Sequence, residues 1–391
     1  MIMDNKKKIL IVDDSALMRR LISDIINSDN RFVVKDLACN GLEGLDLIIK
    51  NHAEYDAVIL DINMPKMNGL ELLEQLQKHR INLKVIMVST LTKEGAKETI
   101  IALERGAFDF VTKPENYLKA KEDSFKNRIL DMLATATGAS VAVSSAEKVG
   151  DGKTGIDSRL SAGKNLGTVK NVDYVAVNKR MKFAKHKRMN GTKEGKKKLV
   201  ALACSTGGPK SLQSVIPMLP KDLDAPMVLV QHMPAGFTNS LAQRLNDISQ
   251  ICVKEAADGD ILKKGQVYIA PGGKQMKIIK DKACYRISIV DEAARDGLKP
   301  CANIMYESLM DSDFDEITCV VLTGMGADGT NGIGMLGEKN NIYVIGQDEK
   351  TSVVYGMPKA IAEAELVDEV VPLEQVAKAI LKNVGVLNNG R

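Results

Sequence analysis

The sequence lacks several features that define large classes of protein. Its 391 residues include no tryptophan, and aromatic residues make up only 4%. No apolar run approaches the roughly 20 residues that a helix needs to cross a bilayer, which excludes a membrane span. Residues 1–15 contain no apolar stretch or small-residue cleavage site of the kind found in a signal peptide. We therefore expect a cytoplasmic protein.

Cysteine and histidine are also sparse, and neither forms a metal-binding pattern. The six cysteines include no CxxC pair and have no histidines beside them, which fits reduced thiols better than disulfides or a zinc site. The net charge of +4 is small for this length and by itself says little about nucleic acid. Only four histidines are present, so there are few candidates for a general base.

The patterning divides the chain into three parts. Short apolar runs alternate with amphipathic segments over residues 1–133, which predicts an α/β domain with a doubly wound, flavodoxin-like parallel sheet. Residues 134–196 lose this periodicity and become first rich in Ala, Ser, Thr and Gly and then strongly basic, as is typical of a flexible linker. Residues 197–391 alternate strand and helix signals again. They predict a second α/β domain with a mainly parallel sheet and one hairpin.

Acidic residues follow two strands of the predicted N-terminal sheet. Asp13 and Asp14 come after the first strand, and Asp61 ends the third. The carboxyl ends of parallel strands share one edge of a sheet, so a hard divalent cation such as Mg²⁺ would relieve the repulsion between these acids. Asp61 could then accept a phosphoryl group whose oxygens contact Ser89 and Lys113, which end the fourth and fifth strands. Taken alone, an acid such as Asp14 fits a turn residue or a helix N-cap better, but five polar residues at strand ends together favour the site.

This constellation resembles a response-regulator receiver domain over about the first 130 residues. The resemblance implies that Asp61 is the phosphoacceptor and that it holds Mg²⁺ together with the two acids after the first strand. The backbone carbonyl of Asn63 would be a further metal ligand, while Ser89 and Lys113 would sense the phosphoryl group. Phe110 occupies the position of the switch aromatic, although an ordinary buried strand aromatic would fit the sequence as well.

A serine stands where a strand of the second domain gives way to a helix, in the segment ACSTGGP. The helix that follows Ser205 directs backbone N–H groups and the positive end of its dipole toward the hydroxyl, which suits an oxyanion. Glycines at 207 and 208 allow close approach of the backbone to a ligand. The alternative interpretation is a serine that only caps the helix.

A nucleophilic serine needs a base and an orienting acid. Three of the four histidines lie in the first domain or the linker, which leaves His232 after the strand PMVLVQ. Asp328, in LTGMGADG, follows the strand ITCVVL. Ser205, His232 and Asp328 therefore end three separate strands and can converge as nucleophile, general base and orienting carboxylate. The chain order and the absence of a GxSxG elbow distinguish them from the α/β-hydrolases.

The motifs ACSTGGP, QHMP, YIAPGG, LTGMGADG and GQDEKTSVVYGMP resemble the catalytic domain of the chemotaxis protein-glutamate methylesterases, the CheB family, from about Lys198 to the C-terminus. The resemblance implies a phosphorylation-activated hydrolase that releases methanol from glutamyl methyl esters on chemoreceptors and also deamidates receptor glutamines. It implies that Thr206 lies in the serine loop and that the backbone N–H of Met325 is an oxyanion donor. The esterase chemistry would need no cofactor. A chemotaxis histidine kinase would supply the phosphoryl group, and the enzyme would act at receptor arrays.

Two positions depart from the pattern of that family. Cys204 replaces the usual alanine before the serine, and the usual Pro-Ser-Val-Asp segment is here Pro300-Cys301-Ala302-Asn303. Neither departure touches the predicted triad. The second could alter substrate fit or helix capping.

Two other functions compete with the hydrolase at this stage. GMGADG, residues 324–329, is a literal G-x-G-x-x-G between a strand and a helix, as in dinucleotide-binding folds. It occurs late in its domain, however, and Asp328 would bring a negative charge close to a pyrophosphate. The basic run Lys179–Lys198 could make the chain a DNA-binding regulator, yet it has no aromatic stacking pattern, zinc motif or evident helix-turn-helix, so we expect no specific nucleic-acid partner.

Overall fold

The computed structural model describes residues 6–114, 123–139, 197–282 and 284–387. The predicted linker falls almost entirely outside these residues, as does most of the basic run. Within them the chain forms two α/β units, as the alternation of strand and helix patterns predicts.

The N-terminal sheet contains five strands in the order β2-β1-β3-β4-β5 among the described residues. All neighbouring pairs are parallel. The strands are β1 (Lys7–Val12), β2 (Phe32–Ala38), β3 (Ala57–Asp61), β4 (Val85–Ser89) and β5 (Asp109–Thr112). The central strand β3 and its neighbour β4 are buried along their whole length because helices cover both faces of the sheet. The predicted doubly wound sheet is confirmed.

Amphipathic helices connect these strands, and polar caps begin several of them. Ser15 caps the first helix by accepting a hydrogen bond from the N–H of Met18, and Asn68 with Glu71 forms a capping box on the third. The helices are α1 (Ala16–Asn27), α2 (Gly41–Asn51), α3 (Gly69–Lys78), α4 (Lys93–Glu104) and α5 (Asp123–Thr137), with a short 3-10 helix at His52–Glu54. Because α5 continues to Thr137, it passes the predicted domain end at residue 133.

The second sheet contains seven strands among the described residues, in the order β14-β13-β12-β6-β7-β9-β8, and its pairs are parallel. The predicted hairpin forms a separate antiparallel pair. The strands of the sheet are β6 (Lys198–Cys204), β7 (Met227–Gln231), β8 (Cys252–Glu255), β9 (Gln266–Ile269), β12 (Glu316–Val321), β13 (Ile342–Gln347) and β14 (Glu369–Val371). Those of the hairpin are β10 (Gln275–Asp281) and β11 (Cys284–Val290).

Helices cover this sheet on both sides, and apolar residues from strands and helices together form its core. The helices are α6 (Gly208–Val215), α7 (Phe237–Asp247), α8 (Ala302–Glu307), α9 (Thr330–Lys339), α10 (Met357–Glu363) and α11 (Leu373–Val384), with a 3-10 turn at Ile216–Met218. Strands β12, β6 and β7 are neighbours near the middle of the sheet. Their carboxyl ends therefore lie side by side, where a ligand crevice is expected.

The two units contact each other through α4 and β5 of the first and α7 of the second. The rings of Phe110 and Phe237 stack with their centroids 4.7 Å apart. Beside them, Arg244 of α7 donates a hydrogen bond to Glu104 of α4 over 2.7 Å. The interface therefore combines an apolar contact with an ion pair at its edge.

Candidate active site and phosphoacceptor site

The three residues of the predicted triad follow neighbouring strands. Ser205 comes directly after β6, His232 directly after β7, and Asp328 in the loop after β12. Because β6 lies between β12 and β7, the serine stands between the other two residues. The structure thus brings the three to one edge of the sheet.

Backbone contacts hold the loop that carries the serine. The N–H of Ser205 donates to the carbonyl of Thr323 over 3.0 Å, and its own carbonyl accepts from the N–H of Gly208 over 2.7 Å. Gln231 also donates its side-chain amide to the carbonyl of Ser205. Gly207 starts the turn into α6 with φ of 77°, a left-handed conformation that glycine adopts without strain. The nucleophile loop is therefore tied to both neighbouring strands.

The histidine and the acid form the tightest contact of the site. Nε2 of His232 lies 2.8 Å from Oδ2 of Asp328; the Asp328 side chain is buried and that of His232 is 10% exposed. This contact leaves Nδ1 as the ring nitrogen available to the serine. Among the described residues no hydrogen bond joins the Ser205 hydroxyl to the ring, as is common for such pairs in the absence of substrate.

The carboxylate of Asp328 has further donors from the segment before α8. Ala302 donates its N–H to Oδ2 over 2.6 Å, Asn303 donates its N–H to Oδ1 over 2.9 Å, and the thiol of Cys301 lies 3.2 Å from Oδ1. Burial alone would raise the pKa of Asp328, but the hydrogen bonds and charge of His232 and these N–H groups lower it below its usual value. Asp328 is therefore an anion next to the imidazole.

The loop residues predicted to assist the serine lie at the contact with the N-terminal unit. Thr206 is buried, and its side chain hydrogen-bonds the buried carboxyl of Asp109 on β5. Met325 follows Gly324, whose backbone touches Ser205. The hydroxyl of Thr135, on α5, lies 3.1 Å from the Met325 sulfur. Thr206 is thus covered from the side of the first unit, whereas Met325 touches that unit but stays 43% exposed.

The acids of the first unit also converge. Oxygens of Asp13, Asp14 and Asp61 lie within 4.8 Å of one another, and the ammonium of Lys113 lies 2.8 Å from Asp61 and 3.1 Å from Asp13. Burial raises the pKa of Asp61 to about 6, and Lys113 only partly offsets this effect. Burial also disfavours the charged form of Lys113, yet the two carboxylates raise its pKa. Oxygen donors at this spacing suit Mg²⁺.

The remaining residues predicted for this site have other partners in the structure. The Ser89 hydroxyl is bonded to Thr99 and to the carbonyl of Gly95 on α4 and does not contact Asp61. The side chain of Asn63 donates to Glu98, which leaves its backbone carbonyl for other partners. Phe110 is buried in the stack with the second unit rather than exposed on a free surface.

Sequence reasoning missed the groups that hold the triad in place. Gln231, which donates to the Ser205 loop, gives no signal beyond its position before the histidine. Cys301 and Asn303 do give one, since both stand in the segment that departs from the family pattern. From the sequence we expected that departure to affect helix capping or the fit of the substrate. In the structure, Cys301 and Asn303 of this segment instead hydrogen-bond the carboxylate of Asp328.

Comparison with known proteins identifies the class of each half. A family model described as a response regulator receiver domain matches residues 9–122, and one described as CheB methylesterase matches residues 200–380. The chain is thus a response regulator whose receiver domain is joined to an α/β enzyme domain. Among the helices that the structure describes, none combines the length and apolar character that a bilayer span requires.

Relatives align with the chain over nearly their full length. The chain is 37% identical to a protein-glutamate methylesterase/protein-glutamine glutaminase of Pyrococcus horikoshii, over 100% of this chain and 96% of that protein. It is 38% identical to the protein of the same name from Bacillus subtilis, over 95% and 97% of the two chains. It is also similar to the solved CheB methylesterase catalytic domain of Thermotoga maritima, with 38% identity and a TM-score of 0.46 over 47% of this chain and 97% of that one. The chain belongs to the CheB family of protein-glutamate methylesterases.

Proposed function

We propose that this chain hydrolyses glutamyl methyl esters on chemoreceptors, releasing methanol, and deamidates receptor glutamines by the same chemistry. Ser205 is the nucleophile, His232 the general base and Asp328 the orienting acid. The single observation that carries the assignment is the convergence of these residues at three adjacent strand ends, with His232 and Asp328 2.8 Å apart.

In the acylation step the imidazole of His232 first takes a proton from Ser205 and then gives it to the leaving group. Ser205 attacks the ester carbonyl while its proton passes to Nδ1 of His232, and the anionic Asp328 stabilises the imidazolium through Nε2. We assign the backbone N–H of Met325 as a donor to the developing oxyanion. His232 then gives the proton to the departing methoxide oxygen, which leaves as methanol, or to the amide nitrogen, which leaves as ammonia. A water molecule activated by the same base hydrolyses the acyl enzyme.

The receiver controls this chemistry through Asp61. We assign Asp61 as the phosphoacceptor, with a chemotaxis histidine kinase as donor. Mg²⁺, held by the three clustered acids and by the carbonyl of Asn63, would neutralise charge on the phosphoryl oxygens. Lys113 already contacts the acceptor carboxylate and remains beside the phosphoryl group. Ser89 must leave its bonds to α4 to reach that group, which couples phosphorylation to the position of α4.

The unphosphorylated receiver restricts access to the serine. Support comes from its contacts with Thr206 and Met325, the two loop residues that flank the nucleophile. In this proposal β5 and α5 obstruct the approach of a receptor helix to Ser205 from this side. Phosphorylation favours a conformation that packs less well there, so the active population rises.

The two competing functions lack comparable support. At Gly324, the first glycine of GMGADG, an added Cβ would come 2.8 Å from the Cβ of Ser205, so this glycine serves packing against the nucleophile loop. Asp328, in the same motif, is engaged with His232. Most of the basic run proposed for DNA binding lies outside the described residues.

The test measures methanol release from receptor membranes that carry methylated glutamates. Wild type and Ser205→Ala are compared, each with and without a small phosphodonor and Mg²⁺. We expect release by wild type to rise with the phosphodonor, to lose that rise when Mg²⁺ is chelated, and to fall by at least about a thousandfold in Ser205→Ala. Release that survives the loss of the serine, or no release from folded and phosphorylated wild type, would contradict the assignment.

A further inference from the structure

The buried carboxylate of Asp328 is held by a segment that is not part of the triad. Three of its contacts come from consecutive residues, the thiol of Cys301 and the N–H groups of Ala302 and Asn303. With His232 on Oδ2, both oxygens of the carboxylate are engaged. The acid therefore cannot rotate without breaking several hydrogen bonds.

The Asn303 side chain fixes the other end of this arrangement. Its Oδ1 accepts hydrogen bonds from the N–H of Gly329 over 3.1 Å and from the N–H of Gly332 over 2.7 Å. These bonds connect Asn303 to the loop that carries Asp328 and to the start of α9. Cys301 is anchored in turn, because its N–H donates to Oε1 of the fully buried Gln275 over 2.9 Å. The segment and the acid loop are thus locked to each other.

We propose that Cys301 and Asn303 are positioning residues of the triad: the thiol of Cys301 donates to the triad carboxylate, and the neutral amide of Asn303 holds the carboxylate loop without adding a second negative charge. The inference rests on the proposed function, since it assigns a role to Asp328 in the same reaction.

The chemistry of the two side chains explains why their identity matters. The thiol supplies a weak donor to an anion that has little contact with water, and burial followed by the charge of Asp328 raises the pKa of Cys301 to about 12, so the thiol keeps its proton. An aspartate at 303 could accept the same two N–H groups but would place another carboxylate beside Asp328. That charge would favour the imidazolium form of His232.

Few titratable groups face this carboxylate from the elements packed around it. In the described residues they are His232 after β7, Cys301 before α8 and Tyr306 on α8. The Tyr306 hydroxyl donates toward the carbonyl of Ala201 and stays neutral because burial raises its pKa well above 10. A shift in the pH profile after substitution at 301 or 303 therefore reports on the pair of His232 and Asp328.

The experiment follows kcat/KM for methanol release against pH in the full-length, phosphorylated protein. Cys301→Ala removes the donor, Cys301→Ser restores one, and Asn303→Asp adds the charge while keeping the acceptor. Asn341→Asp, just before β13, and Cys252→Ala, on the edge strand β8, are matched controls outside the site. The pKa of His232 is also followed by NMR, with its signal identified from a His232→Gln variant.

We expect Cys301→Ala to lower kcat by roughly tenfold, as for loss of a hydrogen bond to a charged group, and to leave KM nearly unchanged. Both Cys301→Ala and Asn303→Asp should move the acid limb of the profile and the pKa of His232 to higher pH, because each leaves more uncompensated negative charge beside the imidazole. Cys301→Ser should return both readouts close to wild type, and the two controls should not move either of them.

The proposal is overturned if Cys301→Ala and Asn303→Asp change activity only as much as the controls and leave the pKa of His232 in place. It is also overturned if Cys301→Ser behaves like Cys301→Ala, since the hydrogen bond would then be irrelevant. Failure of the proposed function is distinct, because Ser205→Ala would then retain activity whatever happens at 301 and 303.

Discussion

Gly324 shows how closely the backbone packs around Ser205. A Cβ at this position would come 2.8 Å from the Cβ of Ser205 and 3.0 Å from its N, and closer still to the sulfur of Met357. The carbonyl of Gly324 also accepts the N–H of Gly356 and that of Met357, which ties the loop after β12 to α10. A side chain here must push the serine loop away from its present position.

We therefore expect Gly324→Ala to lower methanol release by at least about a hundredfold, because a displacement of about 1 Å at the reacting centre can cost this much. The fold should persist, since the change adds one methyl group at the edge of the sheet. Circular dichroism and thermal unfolding check the fold, and the rate is measured as for Ser205→Ala. Gly346→Ala is a suitable control because a Cβ there would meet its nearest neighbours, Val367 and Ile361, only at 3.5 to 3.6 Å, an ordinary van der Waals contact. A Gly324→Ala protein with wild-type rate would show that this contact is not needed.

At the scale of elements, α4 and α7 form the contact by which the receiver covers the enzyme domain. Arg244 on α7 and Glu104 on α4 are both about 38% exposed in this ion pair. The stack of Phe110 on Phe237 lies beside it and is buried. The Ser89 hydroxyl donates to the carbonyl of Gly95 in the first turn of α4. A change in the position of Ser89 would therefore be passed to α4 and to its contact with α7.

Arg244→Glu should weaken the contact and raise the rate of the unphosphorylated enzyme by about 1.5- to 5-fold, because an exposed ion pair contributes about 0.2–1 kcal/mol. Combining it with Glu104→Arg should bring the rate back toward wild type. Arg20→Glu, which breaks an exposed pair within α1, should leave the rate unchanged. Rates are measured without phosphodonor at low salt. An equal rise in the single and double variants would argue against the ion pair as part of the inhibition.

At the scale of the whole molecule, the receiver contacts the enzyme domain on both sides of the serine. Asp109 reaches Thr206 from β5, and Thr135 reaches Met325 from the last turns of α5. Val353 and Val354, from the loop before α10, pack against the apolar cluster of the receiver. The loop that carries Ser205 thus lies against the receiver in this structure.

Removal of residues 1–139 should therefore activate the enzyme domain. The deletion extends past the predicted end at residue 133 so that it also removes Thr135 and the rest of α5. We expect the basal rate to rise at least about tenfold, because the minor state of such an equilibrium is commonly populated at roughly 0.1–10%. The same deletion with Ser205→Ala controls for other activities. If the truncated protein, folded by circular dichroism, is no more active than the unphosphorylated full-length chain, the receiver does not inhibit.

The sequence by itself determined which residues end the strands. Ser205, His232 and Asp328 each follow an apolar run, and parallel strands expose their carboxyl ends on one edge, so local patterning was enough to predict that they meet. The same reasoning predicted the cluster of acids around Asp61. The domain limits and the linker stay predictions.

Only the tertiary structure decided how these residues are held and covered. Strand β6 lies between β12 and β7, and Nε2 rather than Nδ1 of His232 contacts Asp328. Cys301 and Asn303 hydrogen-bond the same acid. Each of these contacts joins residues that are distant in sequence. The stack of Phe110 on Phe237 does so across two domains. Such contacts depend on strand order and on packing between surfaces, whereas hydrophobic periodicity reports only which face of each element is buried.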